Sequence, residues 1–337
     1  MKEIKNIFGT GKIYNQNDLE GKIYATSAAC MSVWSDMLSY ANVNKDRFVK
    51  NPEEADSIVV LGCQVTDLAV LNDLEVANRL HNKTGKDIYM GGCLAQRMDI
   101  PLPDYIRRLD VVREYGVDLE DLKLIDYEKP FWVPDFKESN DNLANGNLFR
   151  NYYPLKIGAG CHGKCKYCTI RHTRGDGYEA VPENQIDEFL NHENVVLTSD
   201  SPTPSQVKAW CRIAKDTNKE ISIRNIEPQN LITLSLLKIV HCPVQSFDAE
   251  LLKAMNRSVE LTNQAVKLLK QLKELGVITA TNIIIDYTVD GKTYRNLDED
   301  KLNENFDYYS WNPYFDGNFD MDRAKKDSKN ISNKMIQ

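Results

Sequence analysis

Three short apolar runs near the start of the chain each lead straight into a cysteine: IYATSAAC (23–30), SIVVLGC (57–63) and DIYMGGC (87–93). Between them lie SVWSDMLSYANV and TDLAVLNDLEVANRLHNKTG, whose apolar residues recur at helical spacing. Strand, helix and strand in this rhythm predict a parallel sheet. Parallel strands place their C-terminal ends along one edge, the edge where open α/β sheets bind ligands. Cys30, Cys63 and Cys93 are therefore expected to converge. One such cysteine would read as a small buried hydrophobe; three at equivalent strand ends read as a site.

A second alternation follows a polar, Asn- and Asp-rich stretch, FKESNDNLANGNLFRN (136–151). Its strand candidates are PLKIGAG (154–160), NVVLTS (194–199), EISIRNI (220–226), LKIVHCPV (237–244), ITATNIIID (278–286) and a weaker one near FDYYSW (306–311). Helical stretches separate most of them, the clearest being LTNQAVKLLKQLKELG (261–276), with Ala and Leu on one stripe and Lys opposite. About six βα units predict an open barrel rather than a closed eight-stranded one. The expected division is an N-terminal parallel-sheet α/β domain over 1–140, a linker over 141–152, an open (β/α)6 partial TIM barrel over 153–320, and a polar tail over 321–337 that frays.

The size of the chain, 337 residues, agrees with about two domains. No apolar run approaches the ~18 residues of a membrane span, and the N-terminus lacks the apolar core of a signal peptide. The expected location is the cytoplasm, without membrane association. In a reducing compartment the eight cysteines are metal ligands, reactive thiols or buried hydrophobes rather than disulfides. A net charge of −7 gives no global attraction to nucleic acid, although a local basic patch remains compatible with it.

The segment GAGCHGKCKYCTI sets Cys161, Cys165 and Cys168 in a C-x3-C-x2-C spacing just after a predicted strand. Three thiolates on one loop can each take one iron of a cubane cluster, leaving the fourth iron for an outside ligand with amine and carboxylate groups. Structural zinc sites ask for four protein ligands, and this loop supplies three. The alternatives are zinc completed by His162 or His172, or free thiols. Gly158, Gly160 and Gly163 allow the backbone to turn tightly around a bulky group.

This spacing resembles the radical S-adenosylmethionine (SAM) superfamily. ADSIVVLGCQVTDLA and YMGGCLAQR, followed by GAGCHGKCKYCTIRHTRG, further resemble its methylthiotransferase family in sequence and order. The likeness continues through IRNIEP (223–228) and CPVQSFDAELLKAMNR (242–257), covering about residues 22–290. It implies a barrel of the radical SAM type and two 4Fe–4S clusters: one on Cys161, Cys165 and Cys168 that cleaves SAM to a 5′-deoxyadenosyl radical, and an auxiliary one on Cys30, Cys63 and Cys93 that carries the sulfur to be transferred. One SAM methylates that sulfur, a second activates a substrate C–H bond, and a methylthio group results. A small electron-transfer protein such as flavodoxin or ferredoxin would supply electrons. The substrate implied first is a tRNA adenosine or other RNA. The alternatives are sulfur insertion or methylthiolation on a peptide, protein side chain or small molecule, and a non-catalytic iron–sulfur redox sensor.

The chain departs from the family pattern at Val33, at Leu61-Gly62, at LTSDSPTPSQ and at YTVDGKT (287–293), while Asp36 keeps an acidic position. The ~25 residues after the last strand fall below the ~40-residue lower limit of a domain, so the family's C-terminal RNA-binding TRAM domain is expected to be absent. For SAM the candidates are Tyr167, Ser199, Arg224, Glu227 and Gln245. Tyr167 lies near the adenine or simply packs under the loop; Arg224 and Glu227 bind SAM or form surface salt bridges; the same choice holds for Gln245 and Ser246. Arg174, in the string Thr173-Arg174-Gly175, contacts substrate phosphate or orients the loop. Cys211 is expected in a core, Cys242 at the end of a barrel strand, and His162 and His172 in positioning or solvent-facing roles. DLEDLKLIDYEK and NLDEDKLNEN read as solvated faces, and GKT at 291–293 is not a phosphate loop, because GxxxxGK[ST] is absent.

Overall fold

The computed structural model describes residues 1–27, 29–111, 126–127, 137–138, 148–149, 152–175, 177–180, 183, 185–228, 231, 237–295, 297–314 and 319–325. The expected linker and the run DLEDLKLIDYEK lie almost wholly outside the described residues. The chain divides into two compact units: Met1–Val133 with His172–Arg174 and Gly317–Gln337, and Pro134–Arg171 with Gly175–Asp316.

The first unit opens with a hairpin of β1 (Lys2–Asn6) and β2 (Gly9–Asn15). It continues with β3 (Ile23–Ser27), α1 (Met31–Val43), β4 (Ser57–Gly62), α2 (Asp67–Thr84), β5 (Ile88–Gly92), β6 (Ile106–Asp110) and β7 (Asp126–Tyr127). The sheet order is β1-β2-β6-β5-β4-β3-β7, and every pair except the opening hairpin is parallel. β4 is an interior strand: Val59 lies between Ala25 and Tyr89 in register, and all six of its residues are buried. A strand covered on both faces reads as a continuous apolar run, which SIVVLG is. α2 starts where Thr66 Oγ1 accepts the Ala69 N–H at 3.1 Å and stops at Gly85, whose left-handed φ of 69° closes the last turn onto His81 O. Sequence reading missed β1, β2 and β6, because KEIKN, GTGKIYN and IRRLD carry too few apolar residues to show a strand period.

The second unit holds β8 (Lys137–Glu138), β9 (Tyr153–Lys156), β10 (Gly158–Ala159), α3 (Ile170–Arg174, whose last three residues group with the first unit), β11 (Tyr178–Glu179), α4 (Ile186–Asn191), β12 (Val195–Thr198), α5 (Pro204–Thr217) and β13 (Ile221–Ile223). β14 (Leu237–His241), α6 (Ala249–Ala254), α7 (Val259–Glu274), β15 (Ile278–Ile285), β16 (Tyr287–Val289), β17 (Lys292–Tyr294), α8 (Glu299–Asn305) and β18 (Tyr308–Pro313) complete it. Six strands, β9, β12, β13, β14, β15 and β18, pair parallel in chain order, and β8 adds antiparallel to β18. This is the expected open six-strand βα layout. α5 begins with a reciprocal cap, Thr203 to the Gln206 N–H and Gln206 back to the Thr203 N–H, with Pro204 at its first position. Trp210 on its inner face is fully buried beside Phe189. Within NLDEDKLNEN, residues Glu299–Asn305 form the mostly exposed α8, and GKT sits at the turn of the β16–β17 hairpin.

The expectation of a fraying tail from 321 onward is corrected for residues 321–325. Phe319 packs against the first unit's apolar core, Ala324 is fully buried, and the Arg323 guanidinium pairs with the buried Asp67 carboxylate. A buried carboxylate needs a partner, and Arg323 supplies it. Among the described residues no helix is long and apolar enough to cross a membrane.

Candidate metal centres

The strands after which the first three cysteines sit end before them. β3 stops at Ser27 and Cys30 caps the N-terminus of α1; Cys63 follows β4 directly; Cys93 opens a 3-10 turn after β5. The expectation that the strands end in cysteine is thus corrected by one to three residues. Local geometry explains the last two. Gly92 has φ of 74°, and a Cβ there would lie 2.5 Å from Gly62 O and 2.7 Å from Val33 Cγ1, so the chain turns out of the sheet at a position only glycine fits. A Cβ on Gly62 would likewise press on Met90, Leu94 and Asp73.

Cys63 and Cys93 are buried and Cys30 is exposed. Burial, then the charges of Cys30, Asp73 and Cys93, push the Cys63 thiol well above its ordinary range, so these groups lie within electrostatic reach of one another. The Cys63 N–H donates to Asp73 Oδ2 at 2.6 Å, and burial raises the Asp73 carboxyl despite that bond. In the same unit Arg97 is fully buried, forked onto Asp99 at 2.8 and 2.6 Å, and donates to Gln64 Oε1 at 3.1 Å. Gln64 in turn donates to Thr173 Oγ1 at 3.1 Å, and Arg174 pairs with Asp36 at 3.0 Å, both side chains at most 10% exposed. His172 meets Phe8 edge to face.

In the second unit Cys161, Cys165 and Cys168 lie on the loop between β10 and α3, half-buried. Gly160, immediately before Cys161, has φ of 77°, and a Cβ there would lie 2.5 Å from Gly177 N and 2.6 Å from Gly175 O. The loop is clamped from several sides. Asp200 Oδ2 accepts the Gly160 N–H at 2.7 Å, Gly175 O accepts the Cys161 N–H at 3.1 Å, and the Ser201 hydroxyl bonds to the Cys161 sulfur. Between α6 and α7, Met255 O accepts the Lys166 N–H, Asn256 Nδ2 donates to Lys164 O, and Arg257 Nη1 reaches Cys165 Sγ at 3.6 Å and the Tyr167 hydroxyl at 3.2 Å. Burial raises Cys161 and pushes Cys168 up to about 12, with the neighbouring thiols and Glu227 adding to it. His162 is exposed.

Tyr167 packs against Leu251, Met255, Ile284 and Tyr287, which is the packing reading of that residue. Glu227 salt-bridges, as one reading held, but to Arg257 and in a largely buried setting: 2.8 Å, with side chains 15% and 4% exposed. Arg224 has a buried Nε without a hydrogen bond, a donor suited to an anionic group such as a carboxylate. Ser199 is buried, its hydroxyl accepting the Ser201 N–H at 3.4 Å. Gln245 is buried with φ of 67°, its backbone bonded to Asn282 and Ile284; Ser246 beside it is fully buried. His241 is buried and neutral: burial, then the Arg224 charge, lowers its pKa to about 3 against the pull of Asn282. The Asn225 N–H donates to its Nδ1, which leaves the Nε2 proton for Asn282 Oδ1 at 2.7 Å. Cys242 follows β14 and is fully buried, its thiol pushed far up, an inert setting. Cys211 is half-buried on α5 rather than in the core, because it falls on the flank of the stripe set by Val207, Trp210 and Ala214.

Among the described residues, no group of His, Cys, Asp and Glu closes on a single ion position. A cubane does not ask for that, since each thiolate takes a different iron. Thiols within mutual electrostatic reach, set off the sheet by glycines that no other residue replaces, fit such a cluster, and iron displaces the protons that burial retains. Sequence reading missed Asp73, Asp200, Ser201 and Arg257 as supports of these thiols; Arg257 lay within the quoted string at 242–257 without a role.

The open parallel barrel with a three-cysteine loop defines a radical SAM protein: residues 155–300 match the sequence model described as "Radical SAM superfamily". Relatives named as methylthiotransferases match three quarters of the chain or more. The chain is 25% identical to the ribosomal protein uS12 methylthiotransferase RimO of Clostridium botulinum (strain Okra / Type B1), over 75% of this chain and 65% of that one. The RimO of Alkaliphilus oremlandii is 24% identical over 79% of this chain and 67% of its own. A probable threonylcarbamoyladenosine tRNA methylthiotransferase of Pyrococcus horikoshii is 26% identical, over 79% and 70%. The match thus spans just under two thirds of the Clostridium relative's length. The solved apo, selenomethionine-labelled cobalamin-dependent SAM radical enzyme OxsB aligns over 86% of this chain and 52% of its own at 13% identity and a TM-score of 0.46. Radical SAM membership implies SAM and one 4Fe–4S cluster.

Proposed function

We propose that this chain is a methylthiotransferase with two 4Fe–4S clusters that replaces hydrogen by a methylthio group at an unactivated C–H bond. Cys161, Cys165 and Cys168 would hold the SAM-cleaving cluster, and Cys30, Cys63 and Cys93 the auxiliary one, within an N-terminal domain of the methylthiotransferase type. The observation that carries this reading is two three-thiol groups: one on the single loop after β10 that Gly160 opens, the other just past the ends of the neighbouring parallel strands β3, β4 and β5, with Gly62 and Gly92 before two of its members. The clusters and SAM, when bound, supply the radical and the sulfur. The chain's own residues position them. Asp200, Ser201 and Met255 fix the loop, Arg224 offers a buried donor to the SAM carboxylate, and Asp73 holds the backbone of Cys63. Ser199 and Gln245 line the same strand ends, and Tyr167 supports the loop from beneath.

The proposed substrate is a tRNA adenosine, in line with the named activity of the Pyrococcus relative. A protein side chain is the second reading, favoured by the names of the Clostridium and Alkaliphilus relatives. A flavodoxin or ferredoxin would deliver electrons in the cytoplasm. The test is anaerobic reconstitution with iron and sulfide, then SAM and dithionite with unmodified tRNA or with ribosomal protein uS12. Product mass should rise by one CH2S, the difference between S–CH3 and H. A rise of one sulfur atom alone would replace this reading by sulfur insertion. Bound iron without 5′-deoxyadenosine release would replace it by a redox-sensing role.

A further inference from the structure

Arg257 reaches the cysteine loop from 92 residues away in sequence. Its side chain is 4% exposed, and its donors are shared among three segments: Nη1 to Cys165 Sγ at 3.6 Å, Tyr167 OH at 3.2 Å and Glu227 Oε2 at 2.8 Å, and Nη2 to Pro243 O at 2.8 Å. A buried guanidinium is costly unless its charge is answered. Here one carboxylate answers the charge, and Cys165 Sγ, the Tyr167 hydroxyl and Pro243 O take the remaining bonds, so the fork is held against Cys165. We infer that Arg257 is a positioning residue for the cysteine loop whose N–H···S bond to Cys165 and positive charge make the bound cluster easier to reduce. This rests on the proposal that Cys161, Cys165 and Cys168 hold a cluster.

The physics is that of charge near a redox centre. Reduction adds one electron and one negative charge to the cluster, and no proton is moved by Arg257. A cation and a hydrogen bond to a ligating sulfur stabilise that added charge; a nearby carboxylate opposes it. The two groups of the ion pair therefore act with opposite sign. Glu227 lies within electrostatic reach of both Cys161 and Cys168, while Arg257 touches Cys165. A guanidinium keeps its charge at any working pH.

The test is a dithionite redox titration of the reconstituted full chain, followed in the electron paramagnetic resonance signal that SAM perturbs, with iron per chain counted in parallel. Arg257→Met should shift the midpoint to more negative potential. Glu227→Gln, which removes the carboxylate charge and keeps an acceptor for Arg257, should shift it to more positive potential. A loaded Arg257→Met protein with the wild-type midpoint overturns the inference. If Arg257→Met does not load or fold, Glu227→Gln decides: a positive shift supports the inference, and no shift or a negative one overturns it. A wild-type chain without any SAM-perturbed signal removes the cluster proposal and this inference with it. A wild-type signal with unshifted variants removes this inference alone.

Discussion

The two cysteine groups solve one problem by different means. Cys161, Cys165 and Cys168 sit on one short loop, so their proximity is built into the covalent chain. Cys30, Cys63 and Cys93 come from three separate strand ends, and only the parallel pairing of β3, β4 and β5 gathers them. The first group is half-buried and has a guanidinium at its side; the second has two buried members and a carboxyl. A local site needs clamps, and a topological site needs the sheet itself. What they share is a glycine with φ above 70° directly before a cysteine, Gly160 and Gly92, where a side chain would strike backbone atoms.

The sharpest way to break this comparison is to remove one thiol from each group. Cys165→Ala should abolish both 5′-deoxyadenosine release and product. Cys63→Ala should abolish the methylthio product while SAM cleavage continues, measured by chromatography of the nucleoside. If Cys63→Ala stops SAM cleavage as well, the division of labour is wrong.

Replacing the shared glycines comes next. Gly92→Ala and Gly160→Ala each force a left-handed residue against backbone, at a cost on the order of 1–3 kcal/mol or more. Gly92→Ala should lower iron per chain by about half while the SAM-perturbed signal persists; Gly160→Ala should remove that signal and spare the other cluster. Equal losses from both variants would mean that the two sites do not load independently.

Acid should discriminate between the units more gently. The folded pKa of His241 is about 3, below its unfolded value of ~6.5, so the unfolded chain binds the extra proton in acid. The stability it contributes is present above ~6.5 and is lost at about 1.4 kcal/mol per pH unit as pH falls toward the folded value. Thermal melts of the apoprotein from pH 7 to 4 should show this slope in the barrel unit, and His241→Gln should flatten it. An unchanged slope would place the acid sensitivity elsewhere.

The smallest effect belongs to the carboxyl in the first unit. Asp73→Ala leaves the buried Cys63 N–H without an acceptor, a loss of about 1–3 kcal/mol. Asp73→Asn keeps an acceptor oxygen and should restore most of it in denaturant melts. If the asparagine variant is no better than alanine, the hydrogen bond does not support Cys63.

Most of the barrel was legible because its strands are continuous apolar runs and its helices carry one-sided stripes, as in α7. β6 and the opening hairpin were not, since their residues alternate weakly and are held by pairing to strands already in place. Residues 321–325 read as a polar tail because the acceptor that orders them, Asp67, lies far off in sequence.

The sequence by itself determined the elements with local causes: the cysteine spacing, the glycines before Cys93 and Cys161, the helix caps, and the alternation that makes parallel sheets. Tertiary structure alone decided which residues support the thiols. Asp200, Ser201 and Arg257 belong to segments remote from the cysteines they serve, and Asp73 sits on the helix that follows Cys63. Hydrogen bonds and charge act over a few ångströms of space, and separation along the chain leaves no trace of which distant side chains will come to lie within that range.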